Sequence, residues 1–237
     1  MAFTPDGQTL YVVAPISNLD RRGRPLYPGG VVMPIRTATN TALAPIKLPK
    51  HTSGFLFGIA ITPDGKTAYV VDGVEGKAYS SSVIPIDTAT NRTLAPIRLK
   101  APGEALAVVI SPGGGTAYVL SSRAVTPINT GTNKAGPPMY LPDSIGYAND
   151  IALTPNGKTI YVLASRGVIP IRTASRTVLP MITVPRLQPW TDEYMTPDGR
   201  TVYVDTATGV VPISTATNTA GGLIDIGSAG TTVIFAR

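Results

Sequence analysis

The chain has 237 residues, of which 20 are Lys or Arg and 14 are Asp or Glu, so its formal net charge is +6, and it contains no cysteine. The lack of cysteine excludes disulfides, thiolate metal sites and cysteine nucleophiles. The basic residues are dispersed apart from Arg21, Arg22 and Arg24. This distribution argues against a nucleic-acid partner, which needs a basic stripe with interleaved aromatic residues. No apolar run reaches the length of a membrane span, so we expect none.

A ten-residue stretch recurs five times along the chain. Its clearest copy begins at Thr62 and reads Thr-Pro-Asp-Gly-Lys-Thr-Ala-Tyr-Val-Val. Proline presets φ for the first central turn position, aspartate bonds its own backbone and glycine accepts a positive φ, so the first half predicts a tight turn. The second half alternates β-branched and aromatic residues, which predicts a strand. The other copies begin at Thr4, Ser111, Thr154 and Thr196.

Three further apolar runs accompany each copy at the same rhythm. In the second repeat, residues 58–61 precede the turn, residues 83–86 follow it and end in a polar turn, and residues 95–99 come last. Four strands in each repeat of roughly 40 to 60 residues predict the blade of a β-propeller. The first run is the most uniformly apolar, so we expect it to be the most buried strand. No stretch has helical periodicity, and the predicted class is all-β.

Proline occupies the centre of the third predicted strand in every repeat. Because proline has no backbone N–H, it is tolerated only near a sheet edge or a bulge. We therefore expect the pairing of this strand to be interrupted there. The positions are Pro34, Pro85, Pro127, Pro170 and Pro212.

The Pro-Asp-Gly-Lys-Thr-x-Tyr-Val and Ile-Asp-Thr-Ala-Thr-Asn signatures resemble the YVTN-type β-propeller repeat of bacterial and archaeal surface-layer-type and secreted proteins. The resemblance covers essentially the whole chain. It departs from the family pattern after Tyr-Val, where residues such as Val71 and Leu120 stand. The resemblance implies a propeller fold but says little about function, because the repeat describes strands and turns.

We expect one β-propeller domain over residues 1–237, with repeats at roughly 1–57, 58–104, 105–149, 150–191 and 192–228 and a C-terminal strand at 229–237. The family is usually seven-bladed, whereas five units are present. In the favoured arrangement the C-terminal strand closes the ring against the N-terminal blade. The alternative is a fragment of a larger ring whose exposed edges pair with another copy. The expected state is accordingly a monomer or an edge-paired homo-oligomer.

The sequence enters its first turn directly after Met1, which leaves no room for a signal peptide. Either the protein is cytoplasmic, or a leader has been removed. The abrupt start within a repeat favours removal, so we expect an extracellular or cell-surface protein and keep a cytoplasmic location as the alternative.

The Thr-Pro-Asp-Gly and Thr-Ala-Thr-Asn turns are expected to lie together on one face and to be structural. The opposite face receives connections that vary among the repeats, including insertions at residues 17–30 and 72–82. Variation in one set of loops indicates a binding face.

Two basic groups are candidates on that face. Arg21, Arg22 and Arg24 would hold an anionic partner by charge-assisted hydrogen bonds. The alternative is a charged insertion without a fixed partner. His51 is the only histidine, and as a general base it would need partners nearby. The alternative for His51 is a solvated loop residue.

Aromatic and acidic side chains complete the candidate set. Tyr147 and Trp190 would form a platform for a sugar or peptide, or would pack across the blade tops. Asp150, Asp192 and Glu193 would converge, with Asp143 and Glu104, as oxygen ligands of Ca²⁺, or would be solvated rim charges. Their spacing matches no calcium loop, so we predict no metal and no cofactor.

The sequence contains no Gly-x-Ser-x-Gly elbow, Walker-type loop or His-Glu-x-x-His motif. We therefore predict a non-catalytic scaffold that presents variable loops to an extracellular protein, peptide or glycan. One alternative is a hydrolase or lyase that uses an axial pocket with His51 and carboxylates such as Asp150 or Glu193. The other is a fragment of a seven-bladed propeller that oligomerises.

Overall fold

The computed structural model describes residues 1–19, 25–49, 55–73, 81–185, 187 and 193–227. The chain divides into two compact units, Met1–Pro138 and Met139–Arg237. The described regular structure is β-strand apart from a 3-10 helix at Asp143–Ile145, so the all-β prediction is confirmed. Within these residues, no helix is both long enough and apolar enough to cross a bilayer. The organisation as one domain stays a prediction, and the expected C-terminal strand at 229–237 lies outside the described residues.

Each repeat forms one antiparallel sheet, and we call these sheets blades 1 to 5 in chain order. In every blade three strands lie side by side in sequence order, and short strands pair with the outer edge of the third. Blade 1 has β1 (Ala2–Phe3), β2 (Thr9–Leu19), β3 (Pro25–Arg36), β4 (Thr41–Ala42) and β5 (Ile46–Lys47). Blade 2 has β6 (Phe55–Ile61), β7 (Thr67–Gly73), β8 (Ser82–Asp87), β9 (Arg92–Thr93) and β10 (Ile97–Arg98).

The remaining blades repeat this arrangement. Blade 3 has β11 (Ala105–Ile110), β12 (Thr116–Ser121), β13 (Ala124–Asn129), β14 (Lys134–Ala135) and β15 (Met139–Tyr140). Blade 4 has β16 (Ala148–Leu153), β17 (Thr159–Ala164), β18 (Gly167–Arg172), β19 (Thr177–Val178) and β20 (Ile182–Thr183). Blade 5 has β21 (Glu193–Met195), β22 (Thr201–Asp205), β23 (Gly209–Ser214), β24 (Thr219–Ala220) and β25 (Ile224–Asp225).

The central proline of the third strand interrupts pairing on one side only. Pairing with the second strand continues through it, with Tyr69 opposite Pro85 and Val70 opposite Ile84. On the outer side the Leu94 amide donates to the Pro85 carbonyl over 2.8 Å. Proline has no N–H to return that bond, so the outer strand breaks into β9 and β10. The predicted interruption is confirmed and is confined to the outer edge.

The Thr-Pro-Asp-Gly segment turns the chain from the first strand to the second, as predicted. In blade 2, Gly65 has a φ of 72°, and its amide donates to the Thr62 carbonyl over 2.8 Å. The Thr62 hydroxyl donates to Asp64 Oδ1 over 2.6 Å, and the Lys66 amide donates to the same oxygen over 3.1 Å. The turn is therefore closed by its own side chains.

The turn between the third and fourth strands is bonded on two sides. Within blade 3, the Thr130 hydroxyl donates to the Gly114 carbonyl over 2.6 Å, so the two turns lie together on one face as predicted. The Tyr69 hydroxyl of blade 2 donates to Asn133 Oδ1 in the turn of blade 3 over 2.7 Å. This link between blades was not predicted, although both residues recur at fixed positions. The same bond joins Tyr11 to Asn91 over 2.8 Å and Tyr161 to Asn218 over 2.7 Å.

The apolar cores lie between the blades. In blade 2, every residue of the second strand after Thr67 is buried, whereas the first strand of blade 3 buries only Ala105 and Val108. The prediction that the first strand is the most buried is therefore wrong. The physical reason is that the second strand has a neighbour on each side, whereas the first strand forms the edge of its sheet.

Candidate functional site

Glu193 is a carboxylate at a position that is otherwise apolar. It begins β21 and lies opposite Val204 of β22. In blades 2, 3 and 4, the residues at the matching place in the register are Ile59, Val108 and Ile151. Val108 shows the usual role of this position, because it packs in an apolar cluster with Tyr69 and Val71. Glu193 therefore projects a charge-bearing group into a position built for packing.

The carboxyl group of Glu193 is buried without a hydrogen-bond partner. The residue is 6% exposed, and neither carboxyl oxygen has a hydrogen-bond partner among the described residues. Burial raises the pKa of Glu193 well above 4.5, and the nearby charge of Asp150 adds to the increase. The backbone amides of Ala152 and Leu163 oppose the shift, but neither reaches hydrogen-bond geometry. The carboxyl group therefore keeps its proton to a higher pH than the carboxyl group of an ordinary glutamate does.

Asp150 provides the second carboxylate from the first strand of blade 4. It is half-buried, and its Oδ1 accepts a hydrogen bond from the Ile151 amide over 2.8 Å. A bulge precedes it, because the register of β16 shifts between Ala148 and Asp150. The extra residue of the bulge is Asn149. Its buried Nδ2 atom makes no hydrogen bond with the described residues. Asp150 and Glu193 thus form a carboxyl pair within the second unit.

The arrangement favours proton binding at Glu193. Burial and then the charge of Asp150 raise the pKa of Glu193, because both disfavour its ionised form. A carboxyl group that keeps its proton is able to donate a hydrogen bond. Only a small part of the surface of Glu193 is exposed, so a bound molecule would contact only the edge of this side chain.

The structure describes some of the predicted site residues and not others. Tyr147 is 79% exposed in the segment before β16, and its amide donates to the Ser165 hydroxyl over 3.2 Å. Glu104 is half-buried, and Asp143 is exposed in the 3-10 helix. The candidates that lie outside the described residues are Arg21, Arg22, Arg24, His51, Trp190 and Asp192.

A calcium site built from the acidic candidates has no support in the described part of the chain. No group of three or more His, Cys, Asp or Glu side chains within it is arranged to hold a metal ion. The pairing of Asp150 with Glu193 provides two carboxyl groups, and Ca²⁺ takes six to eight oxygen ligands.

Surface clefts lie on the face that carries the repeated turns. One of about 670 Å³ lies beside Asp64, Gly114 and Asn129, between the turns of blades 2 and 3. A smaller one of about 320 Å³ lies beside Asp6 and Ala89, between blades 1 and 2. Their walls are the turns themselves, whose hydroxyl and carboxylate groups are occupied by the bonds described above. We attribute these clefts to the spacing of the blades.

Sequence reasoning named Glu193 but placed it in a loop with solvated charges. The signal that would have located it is the register, because counting back from Tyr203 aligns Glu193 with Ile151. Asn149 was missed altogether. Its signal is the extra residue that the first strand of blade 4 needs to keep Ile151 in register.

Comparison with known proteins shows similarity at the level of fold. No family model and no curated protein matches the chain. Hydrazine synthase from Kuenenia stuttgartiensis is similar in structure, with a TM-score of 0.74 and 22% identity over 94% of this chain and 64% of that one. A functionally unknown protein from Desulfotomaculum acetoxidans has a TM-score of 0.66 and 18% identity over 91% of this chain and 70% of that one. U3-55K has a TM-score of 0.68 and 13% identity over 92% of this chain and 61% of that one.

These neighbours have β-propeller-like folds, so the predicted all-β propeller of four-stranded antiparallel blades is confirmed, and five blades are consistent with it. The chain spans less than two thirds of the length of hydrazine synthase, at 64%. Identities of 13 to 22% carry the fold and not an activity. Membership of the YVTN-type repeat family stays a prediction.

Proposed function

We propose that the chain is a non-catalytic β-propeller module that binds an extracellular protein, peptide or glycan through the loops that lead into the first strands of blades 4 and 5. The observation that carries the proposal is where the chain departs from its own repeat. On the turn face, the side chains of the repeat bond to one another. The departures Tyr147, Asp150 and Glu193 instead lie at the entrances of β16 and β21.

The chemistry at these entrances suits a partner with both apolar and hydrogen-bonding groups. Tyr147 offers a largely exposed ring, which stacks on sugars and peptide side chains at low entropic cost. Asp150 offers a carboxylate acceptor. Glu193, whose pKa is raised by burial and by Asp150, offers a carboxyl group that donates when it is protonated, and the two together suit hydroxyl and amide groups. Asp150 and Glu193 lie on strands of the sheets, and a side chain that is already held in place reduces the entropic cost of binding.

A binding screen against glycan and peptide arrays tests this proposal. Hits are then measured by calorimetry with Tyr147→Ala, and Tyr140→Ala serves as the matched control because Tyr140 is a 59% exposed tyrosine on the outer strand β15. We expect Tyr147→Ala to weaken binding at least about tenfold, a loss of about 1.4 kcal/mol, and Tyr140→Ala to leave it unchanged. Equal effects of both variants, or the absence of any specific hit, would overturn the proposal.

The location outside the cell is part of the same proposal and rests on the resemblance to repeats of secreted proteins. Protease treatment of intact cells that produce the full-length protein tests it. Degradation without lysis supports a surface location, whereas protection that ends on lysis contradicts it.

A hydrolase or lyase is the second candidate, and one observation favours it. A carboxyl group whose pKa is raised by burial and by a second carboxyl group is an arrangement that acid–base catalysis uses. We place the enzyme second because Glu193 is buried, whereas a general acid must reach the reacting atom. Turnover of a panel of glycoside and ester substrates that disappears in Glu193→Gln, while Glu104→Gln stays active, would promote this candidate over the first.

A further inference from the structure

Neighbouring blades within each unit pack through two complementary faces. The C-side face of a blade packs against the blade that follows it in the chain, and in blade 1 it includes Tyr11, Val32, Ile46 and Leu48. The N-side face packs against the preceding blade. In blade 2 it consists of Ala68, Val70, Ile84 and Ile86, which share one apolar cluster with the C-side face of blade 1.

The N-side face of blade 1 is the exception to this burial. Its matching residues Leu10, Val12, Met33 and Ile35 are only half-buried, and Phe3 is 58% exposed. In the other four blades the equivalent side chains are all 0% exposed: Ala68, Val70, Ile84 and Ile86, then Ala117, Val119, Thr126 and Ile128, then Ile160, Val162, Ile169 and Ile171, then Val202, Val204, Val211 and Ile213.

The C-side face of blade 5 is open in the same way. Ile224 is 46% exposed and Ile226 is 54% exposed. The equivalent residues of the outer strand in the other blades are 4% to 8% exposed: Ile46 and Leu48, Ile97 and Leu99, Met139 and Leu141, and Ile182 and Val184. One end of the blade series thus exposes an apolar N-side face, and the other end exposes an apolar C-side face.

We propose that the N-side face of blade 1 in one copy docks on the C-side face of blade 5 in a second copy, so that the protein associates head to tail. Each copy carries both halves of an interface that the fold already uses between its own blades. The turn of blade 1 also presents Asn40 at a φ of 51°, the conformation of Asn91 and Asn133 where they accept a tyrosine hydroxyl from the preceding blade. A second copy is therefore the occupant for which the face is already shaped.

The driving force is the removal of half-exposed aliphatic side chains from water. The contact uses two different surfaces, so it is heterologous and leaves one open face at each end of a dimer. Association is therefore expected to grow with concentration rather than stop at two copies. This contact joins the broad faces of the sheets and differs from the pairing of strand edges.

Sedimentation velocity over a concentration series tests the proposal with the complete chain. Met33→Glu alters the N-side face of blade 1, and Ile224→Glu alters the C-side face of blade 5, so the two altered faces repel each other. Leu94→Glu is the matched control, since Leu94 is a 41% exposed aliphatic residue in blade 2 that belongs to neither open face. Each face variant is expected to weaken association at least about hundredfold, because it places an unpaired charge in an apolar contact, and the control is not.

Mixing the two face variants makes the test specific. Met33→Glu keeps a normal blade 5, and Ile224→Glu keeps a normal blade 1, so one of each forms a single intact contact. We expect each variant alone to be monomeric and the mixture to form a dimer of the two that grows no further, because both remaining faces are altered. An interface that joins identical surfaces would not behave in this way.

Circular dichroism melting of each variant shows whether it is folded, and Val12→Asp replaces Met33→Glu if the latter is not. A wild-type protein that stays monomeric at about 100 μM overturns the proposal, because its free energy of association is then weaker than roughly −5.5 kcal/mol. A mixture of the two face variants that forms no dimer also overturns it. That outcome would mean that the faces are covered within one chain, are covered by additional blades or stay open.

Discussion

Val108 in blade 3 and Glu193 in blade 5 occupy the same place in their sheets, yet one is an apolar packing residue and the other an acid. Val108 shares its cluster with Tyr69 and Val71. Glu193 is equally buried, and its oxygens bond to none of the described residues. A repeat protein can change one such position without altering its strands, because the register is set elsewhere by the turns. The difference puts an acidic group at a packing position, where its burial is expected to cost stability.

The largest expected effect comes from giving blade 3 the residue of blade 5. Val108→Glu buries a carboxyl group in an apolar cluster, and we expect it to lower the free energy of unfolding at pH 7 by about 3 kcal/mol. Val108→Thr, which keeps the shape and replaces one methyl group with a hydroxyl, is the control and is expected to cost less. Urea denaturation measures both. If Val108→Glu is as stable as the wild type, this position tolerates a charge, and the contrast between Val108 and Glu193 carries no cost in stability.

The reverse exchange is expected to have the next largest effect. Glu193→Ile restores the apolar residue of the other blades and removes a desolvated carboxyl group. We expect it to raise the free energy of unfolding at pH 7 by about 2 kcal/mol, as found when buried ionisable groups are replaced by packed apolar ones. The same variant is expected to weaken any ligand that binds beside Asp150. A loss of stability in Glu193→Ile would mean that the carboxyl group has a partner that stabilises the fold.

The pH dependence of stability separates the charge of Glu193 from its shape. Its pKa is raised in the folded state by burial and then by Asp150, so the folded protein binds the proton more tightly than the unfolded chain does. Its contribution is therefore fully present below about pH 4.5, the unfolded value, and is lost as the pH rises toward the folded pKa. Glu193→Gln is expected to remove this decline. Urea midpoints measured from pH 4 to pH 9 that decline equally in both proteins would contradict the assignment.

These contrasts show which features a sequence can predict. The turns beginning at Thr4 and Thr62, the strands they connect and the break opposite Pro85 were predicted, because each follows from a local backbone rule repeated five times. The state of Glu193 was not, because burial depends on which residues oppose it across a sheet and on what the adjacent blade provides. The second strand is the most buried for a similar reason, since its position within the sheet matters more than the hydrophobicity of its own residues.

The bond between Tyr69 and Asn133 allows a smaller change at an interface that is fully satisfied. Tyr69→Phe removes the hydroxyl that donates to Asn133 Oδ1, and we expect a loss of about 1 kcal/mol in the free energy of unfolding. Asn133→Gly keeps the positive φ and removes the acceptor, so a double-mutant cycle isolates the bond. A coupling energy indistinguishable from zero would show that the bond contributes nothing.

Alkaline pH tests the same tyrosine without mutation of its partner. Burial, together with the charge of Asp64, raises the pKa of Tyr69 to about 12. Its contribution is present below the unfolded value of 10.0 and is lost as the pH rises from there toward about 12. Tyr69→Phe is therefore expected to lose less stability than the wild type over this interval, when urea midpoints are compared at each pH.

The smallest effect is expected at Asp64, whose carboxylate is solvated and shifts in the opposite direction to Glu193. Bonds from the Thr62 hydroxyl and then the Lys66 amide lower the pKa of Asp64. Its contribution is therefore present above the unfolded value and is lost as the pH falls through the folded pKa. Blade 4 has Asn156 at this place, with the matching bonds from Thr154 over 2.8 Å and Lys158 over 2.9 Å.

Asp64→Asn is thus expected to leave the urea midpoint at pH 7 almost unchanged and to reduce the loss of stability on acidification. The matched control is Asp143→Asn, at an exposed residue outside these turns. If Asp64→Asn behaves like Asp143→Asn at acidic pH, the bonded carboxylate of the turn contributes nothing to acid sensitivity. Glu193 and Asp64 are expected to change stability with pH in opposite directions and by different amounts, because only the burial of Glu193 removes the water that otherwise stabilises a carboxylate.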